Sequence, residues 1–298
     1  MTFSQLEVLI AVVNTGSFSK AGDLLGMSQP GISHAIAGLE AELGITLLNR
    51  HRSGISLTAI GEKVMPHIRE LMHQKDMIKQ EVALEAGLQA GSLRIGSFAS
   101  ILSRWIPALI QSFQTTYPGI SLTMVEGTYE EIRKWLADGT IHAGFLTLPM
   151  PNPDWDYVTL AADEMVALVP PHFSWETEAD GSITLDQLAK VPFIMPTAGC
   201  QTLIGELFHD RQLHPHVQFE IRETATLLNM VREGVGASIL PRLALPAQLA
   251  DVSIASLAPQ PVFRQIGLGV RSLLLASPAT RAFLRHTEEW IKAREASL

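Results

Sequence analysis

With 298 residues, 47% of them hydrophobic and 17% charged, the chain is long enough for more than one domain and too apolar to be a disordered polymer. It has no run of about 18 uncharged apolar residues, so no spanning helix is expected; its start, MTFSQLEVLIAVVNTG, lacks the basic lead of a secretory signal and carries Glu7, so the expected location is cytoplasmic. The formal net charge of −8 is not that of a broadly basic nucleic-acid binder, and the single cysteine, Cys200, excludes an intramolecular disulfide and a cysteine-rich zinc site.

Phe3, Leu6, Leu9, Ile10 and Val13 recur at helical spacing, which predicts a first helix with these residues in a core. Ser17 to Glu40 then reads as two short helices around a tight turn. Ala21, Leu24 and Leu25 recur at i, i+3 and i+4, Gly26 stops the first helix, and Ser28 is placed to cap the second. Pro30 suits a first turn, where its missing N–H has no intrahelical acceptor. At about 100° per residue, Ile32, Ala35, Ile36 and Leu39 form an apolar stripe, while Gln29, Pro30, Ser33, His34 and Ala37 fall on the opposite arc. Small and hydrogen-bonding side chains suit a major groove: Gln pairs with adenine, Ser serves several base edges, and Ala or Pro touches a thymine methyl. The bland alternative is a solvated helix hairpin.

Leu39, Leu43 and Leu47 are expected to close this domain, and Ile55 to Thr58 to supply a short wing strand. The whole run from Phe3 to Gly61 resembles the N-terminal domain of LysR-type transcriptional regulators. The resemblance is carried by Leu6 and Phe18 in the first helical stretch, by GSFSKAGDLLGMSQPGISHAIAGLE in the helix pair, and by LGITLLNRHRSGISLTAIGE through the wing. Gly22 stands where that family usually has a second Ala, Leu48 where it has Phe, and His34 where a longer polar or basic residue is common. The resemblance implies double-stranded DNA as partner, with Ser28, Gln29, Pro30, Ser33 and His34 at or beside base edges and Arg50 and Arg52 on phosphate or minor groove. Within residues 1–60, three basic residues (Lys20, Arg50, Arg52) face four acidic ones (Glu7, Asp23, Glu40, Glu42). A single such domain is therefore expected to bind weakly and to depend on dimerisation.

Ile60, Val64, Ile68, Leu71, Ile78, Val82 and Leu88 keep spacings of three, four or seven, which predicts a long amphipathic helix containing Pro66. About 28 residues would span roughly 40 Å, and so long a stripe needs a partner. A dimerisation arm over residues 61–90 follows, as the resemblance also implies; a buried helix within one domain is the alternative.

After a hinge at Gly87, Gly91 and Ser92, strand-like and helix-like segments alternate. SLRIGS, ISLTMVEG, HAGFLTL, EMVALVP, PFIMP, FEI, ASILP and FRQIGLGV read as strands. SRWIPALIQSFQTTY, YEEIRKWLADG, QTLIGELFHDR, TATLLNMVREG and a stretch from Pro278 to Arg294 read as helices. This order predicts a parallel α/β fold in two lobes, about 91–162 with 266–298 and about 163–265. It resembles the effector domain of LysR-type regulators, itself similar to periplasmic solute-binding proteins. The predicted fold class is thus an N-terminal all-α winged helix-turn-helix, a linker helix and a two-lobed α/β effector domain.

Ligands of open α/β sheets sit at the carboxyl ends of strands. Two loops qualify: one carries Phe98, Ser100, Ile101 and Ser103, the other Thr197, Gly199, Cys200, Gln201 and Thr202, with Thr147 at the end of a third strand and Trp105 and Met195 as apolar walls. By resemblance, Ser100 holds a position where the family often sets a hydroxyl against the effector. The expected effector is small and polar or anionic and touches Ser100, Ile101, Thr147, Thr197, Gly199, Cys200 and Thr202; the competing reading of each hydroxyl is a helix cap. Cys200 itself reads as a buried, inert thiol.

An enzyme is not expected. There is no P-loop, HExxH or GxSxG, the GVG at 234–236 lies between a helix and a strand, and His214 and His216 flank a proline in a loop. No cofactor or metal is called for. A ligand-binding receptor with a vestigial N-terminal domain would want a periplasmic signal, and a catalytic α/β protein would want a catalytic constellation. The family further implies a homodimer, commonly a dimer of dimers, with RNA polymerase as a further partner.

Overall fold

The structure is a computed structural model, described here for all residues except 52–53, 87–89, 150–153, 172, 174–180, 247–248, 250 and 296–298. The chain divides into two compact units, one over residues 1–87 with 138–140 and one over the remainder.

In the first unit α1 (Phe3–Thr15) opens on a capping box between Thr2 and Gln5 and stops at Gly16 in the left-handed region. α2 (Phe18–Leu25) is capped by Ser17 and ended by Gly26, and α3 (Gln29–Leu43) by Ser28 and Gly44. Each helix therefore carries its own start and stop in the residues that flank it. Leu6, Leu9, Val12, Ala21, Ile32, Ile36, Leu39 and Leu47 build one core with Met65 and Ile68. Two expected core positions lie outside it, Phe3 at 52% exposure and Leu43 at 42%, and of the apolar positions that recur on α2, Leu24 is 67% and Leu25 36% exposed. Helical spacing set their angle around the axis, but these helices are short and packed on one side only. Phe18 opens α2 instead of belonging to α1.

The wing is an antiparallel hairpin of β1 (Leu48–His51) and β2 (Gly54–Leu57). Glu40 ties it to α3, its Oε1 accepting from Leu47 N at 2.6 Å and Leu48 N at 3.1 Å. α4 (Ala59–Glu85) runs 27 residues through Pro66. Gly61 is required at its start, because a Cβ there would stand 2.4 Å from the Leu47 carbonyl oxygen.

The second unit has two lobes. In the first, β3 (Gly91–Ser97) lies parallel between β4 (Ile120–Glu126) and β5 (Ala143–Leu148). The helix expected over 103–117 is two: α5 (Ala99–Arg104) and α6 (Ile106–Thr116) meet at the buried Trp105. α7 (Tyr129–Ala137) and α11 (Pro278–Glu295) complete this lobe, whose core is centred on Ile95, Phe113, Phe145 and Phe283.

The long strand β6 (Asp156–Val169) leads into the second lobe, which holds β7 (Ile183–Thr184), α8 (Leu185–Ala189), β8 (Pro192–Pro196), α9 (Gln201–His209) and β9 (His216–Ile221). It continues with α10 (Thr224–Arg232), β10 (Ser238–Pro241) and β11 (Ser253–Ala258), and β12 (Val262–Val270) returns to the first lobe. Pairs within the lobes, such as β8 with β9, are parallel as expected, while β12 and β6 pair antiparallel with each other and with their neighbours. Strands that carry the chain out and back must oppose one another in direction. The GVG segment serves packing: a Cβ on Gly236 would meet the Pro192 carbonyl oxygen at 2.6 Å, where Ala237 N donates to it at 2.9 Å.

Candidate functional site

Two sets of residues stand out, one in each unit. On α3, Ile32, Ile36 and Leu39 are fully buried, whereas Gln29, Pro30, His34 and Ala37 are exposed and Ser33 is half-buried. The polar arc thus faces outward from its own unit. Ser28 Oγ accepts from Gly31 N at 3.3 Å, so its first role is the cap. Arg50, on β1, holds its guanidinium 4.8 Å above the Phe18 ring centroid while remaining exposed, a stacking that orders a long side chain without burying its charge. Arg52 lies outside the described residues. Of the acidic residues of this unit, Glu40 is engaged by wing backbone.

In the second unit a cavity of about 600 Å³ opens between the lobes, lined by Ser100, Ser103 and Arg104 of the first lobe's α5, by Thr128, and by Ala198, Arg222, Thr224, Leu228, Leu243 and Leu245 of the second. Beneath it a smaller space of about 20 Å³ shares Ala99, Ser100, Ala198, Arg222, Thr224 and Ala244, and adds Phe98, Tyr129, Cys200 and Arg264. The expected residues divide. Ser100 lines both spaces and Cys200 the lower one. Ile101 is wholly buried in the first lobe's core, and so is Trp105, at 7% exposure. Thr147 pairs with Ile266 at the end of β5, Thr197 gives its N–H to Ile221, and Thr202 is exposed on α9; none lines either cavity. Gly199, at φ +122°, packs on the Tyr129 ring, and Met195 packs against the second lobe's core.

The expectation of open helix N-termini also divides. The first N–H groups of α10 are taken by Glu223, which accepts from Thr226 N at 2.7 Å and Ala225 N at 3.3 Å; the Thr226 hydroxyl, donating to it at 2.7 Å, and then those N–H groups hold its carboxyl below the ordinary carboxylate range. α9 starts at Cys200 without a side-chain cap. At the rim, Arg104 and Arg222 are balanced by Glu126 and Glu223.

The floor holds what the sequence alone did not disclose. Arg264 of β12, 4% exposed, donates from Nε at 2.9 Å and Nη2 at 2.6 Å to Asp163 Oδ2 of β6, from Nη2 to Ser100 Oγ at 2.7 Å, and from Nη1 to the Tyr129 hydroxyl. Its plane stacks 4.9 Å from the Phe98 ring centroid. Asp163 Oδ1 accepts from Leu243 N at 3.0 Å. One ion pair thus joins both crossover strands to residues of both lobes. Burial pushes the Tyr129 phenol up to about 12, against the lowering pull of Arg264, so it keeps its proton at neutral pH. Burial likewise pushes the Cys200 thiol up. A signal was available: in FRQIGLGV, Arg264 shares the inward face of the strand with Ile266 and Leu268, an unusual place for an unpaired charge. Among the described residues no group of three or more His, Cys, Asp or Glu is placed to hold a metal.

Residues 3–62 match the model of the bacterial regulatory helix-turn-helix protein, lysR family, and residues 86–292 match the LysR substrate binding domain. The chain belongs to the LysR family. It is a ligand-responsive, DNA-binding transcriptional regulator. It is 37% identical over 285 residues to LrrA of Synechococcus elongatus, a probable HTH-type transcriptional regulator, covering 95% of each chain. It is 33% identical to YvbU of Bacillus subtilis, an uncharacterized HTH-type transcriptional regulator, covering 97% of this chain and 98% of that one. Among solved structures, full-length CbnR in complex with its target DNA superposes with a TM-score of 0.65 at 25% identity, over 97% of this chain and 99% of that one. A full-length OxyR variant of Pseudomonas aeruginosa superposes with a TM-score of 0.73 over 98% of both chains; at 21% identity that likeness speaks to the fold alone.

Proposed function

We propose that this LysR-family regulator reads operator DNA with the exposed arc of α3 and responds to a small polar or anionic effector held between the lobes of its second unit. Residues 1–60 form the DNA-binding domain, 61–90 the dimerising linker helix, and 91–298 the effector domain, with lobes 91–162 plus 266–298 and 163–265. Gln29, Pro30, Ser33 and His34 meet base edges, and Arg50 and Arg52 meet phosphate or the minor groove. Ser100 and Cys200 belong to the effector site; Ile101, Thr147, Thr197, Gly199 and Thr202 shape the loops around it. The protein works in the cytoplasm as a homodimer or dimer of dimers, with RNA polymerase as a downstream partner, and catalyses no reaction.

The observation that carries this reading is the division of α3, three fully buried aliphatics on one side and Gln29, Pro30, His34 and Ala37 exposed on the other with Ser33 half-buried, beside a wing arginine stacked on Phe18. A ligand shifts presentation of the paired domains only by its differential affinity for the two arrangements. Operator binding of two variants tests the DNA half. Ser33→Ala is expected to relax sequence preference by about 1 kcal/mol or more at one base position. Arg50→Ala is expected to weaken binding evenly across sequences and to flatten the salt slope by roughly one charge. Equal loss on operator and random DNA for Ser33→Ala would count against base contact.

A further inference from the structure

The row of α4 that packs on the winged unit runs into a charge. Gly61, Met65, Ile68 and Met72 follow one another at spacings of four and three, which sets them on one side of the helix. Met65 and Ile68 are buried in the winged unit's core, and Met72 packs against it. Lys75 takes the next place in that row. Its Nζ donates to Glu7 Oε1 of α1 and stands 5.3 Å from the centroid of the Phe3 ring, also on α1. The lysine side chain is 22% exposed and that of Glu7 44%, so the pair is partly enclosed. The contact also gives a role to Phe3, which lies outside the core yet has a ring face under an ammonium. At about 100° per residue, Lys75 lies about 40° from Leu71 and about 20° from Val82, on the border between the buried row and the exposed apolar stripe.

Two points fix the direction of a helix. Ile68, the last buried aliphatic of α4 in that core, is one, and Lys75, about 10 Å further along, is the other. Between Ile68 and Val82 the helix rises about 21 Å, so a swing of about 10° about Ile68 carries Val82 by about 4 Å, roughly the rise of one base pair. We infer, on the reading of α4 as the dimerising helix and α3 as the reading helix, that Lys75, clasped by Glu7 and the Phe3 ring, fixes the direction of α4 and thereby the separation at which two copies present α3 to DNA. Lys75 is a positioning residue: it touches no base and acts through the angle between α1 and α4. A partly enclosed ion pair and a cation over a ring are each weak, and together they amount to a factor of about ten between the clasped and free directions. That suffices to choose between neighbouring base-pair separations, while the apolar core holds the winged unit itself together.

The full-length protein is used to select bound duplexes from a pool of random DNA, which gives the half-site sequence. Fluorescence anisotropy then measures affinity for duplexes that carry this half-site twice, at separations varied in single base-pair steps. For the unaltered protein, one separation is expected to be preferred over those one base pair shorter or longer by about tenfold. In Lys75→Met and in Glu7→Gln the selected half-site is expected to stay the same and that preference to fall to within about threefold, while Lys75→Arg keeps it. Glu7→Gln, at a side chain 44% exposed, keeps the proposal testable if Lys75→Met does not fold. Retention of the spacing preference by Lys75→Met and Glu7→Gln, whether or not overall affinity falls, overturns the clasp and leaves the paired reading standing. A changed half-site with the spacing preference kept overturns it as well, because the charge then acts on the reading helix. If the unaltered protein selects no repeated half-site, or binds all separations alike, the paired reading fails and the clasp fails with it.

Discussion

Arg264 and Asp163 show how much a buried charge depends on its partner. Both side chains are 2% exposed. Removing one leaves the other charged and enclosed, so Arg264→Met is expected to cost about 3–5 kcal/mol in denaturant unfolding, with the paired change of Asp163→Leu and Arg264→Met restoring most of it. His286 makes the opposite kind of statement. Packed on Phe113 with Nε2 3.0 Å from Ser112 Oγ, its imidazole is held below the ordinary value of 6.5, first by burial and with Glu289 pulling the other way. The folded protein thus prefers the neutral ring. The unfolded chain takes up the proton sooner, so this contribution is intact above 6.5 and is lost as pH falls below it. Melting temperature followed downward from neutral pH should fall less in His286→Gln than in the unaltered protein.

Among the elements, α4 carries the clearest unmet requirement. Its first half packs Met65 and Ile68 into the winged unit, but Leu71 is 45% exposed and Ile78 and Val82 are each 67% exposed, seven and four residues apart on one face. At roughly 1.5–3 kcal/mol for each aliphatic side chain buried, that face covered by a second copy stabilises a dimer and uncovered does not. Ile78→Glu with Val82→Glu is therefore expected to move the protein toward monomer in light scattering while leaving the helical content of far-UV CD nearly unchanged. Much of this level was legible in advance. The cap at Ser28 and the stop at Gly26 are read from the residues themselves, and the structure adds caps at Thr2, Ser17 and Thr58 and stops at Gly16 and Gly44 of the same kind. Where the reading slipped, as in the unbroken helix across Trp105 or the burial of Phe3 and Leu43, the deciding fact was what lay opposite in space.

For the whole molecule, a winged domain with so few basic residues is expected to reach useful affinity by pairing, as proposed above. Tethering two reading faces raises effective concentration, a gain on the order of 10²–10⁴ over one face alone. Filter binding should accordingly show Ile78→Glu with Val82→Glu losing operator affinity by orders of magnitude, far more than Arg50→Ala. A monomeric variant holding its operator at nanomolar strength in moderate salt would contradict the pairing.

The chain by itself determined the helix pair, the wing, the long apolar seam and the alternation of strand and helix, because each follows from local spacing and from residues that start and stop an element. It also placed Ser100 and Cys200 near the cleft. Only the tertiary structure decided which loop residues share that cleft, that Ile101, Thr147 and Thr202 do not line it, and that its floor is an arginine and an aspartate 101 positions apart in the chain. Spacing along a chain fixes which way a side chain points from its own element. What it meets there depends on antiparallel crossover strands bringing β6 beside β12, and no local pattern records that pairing.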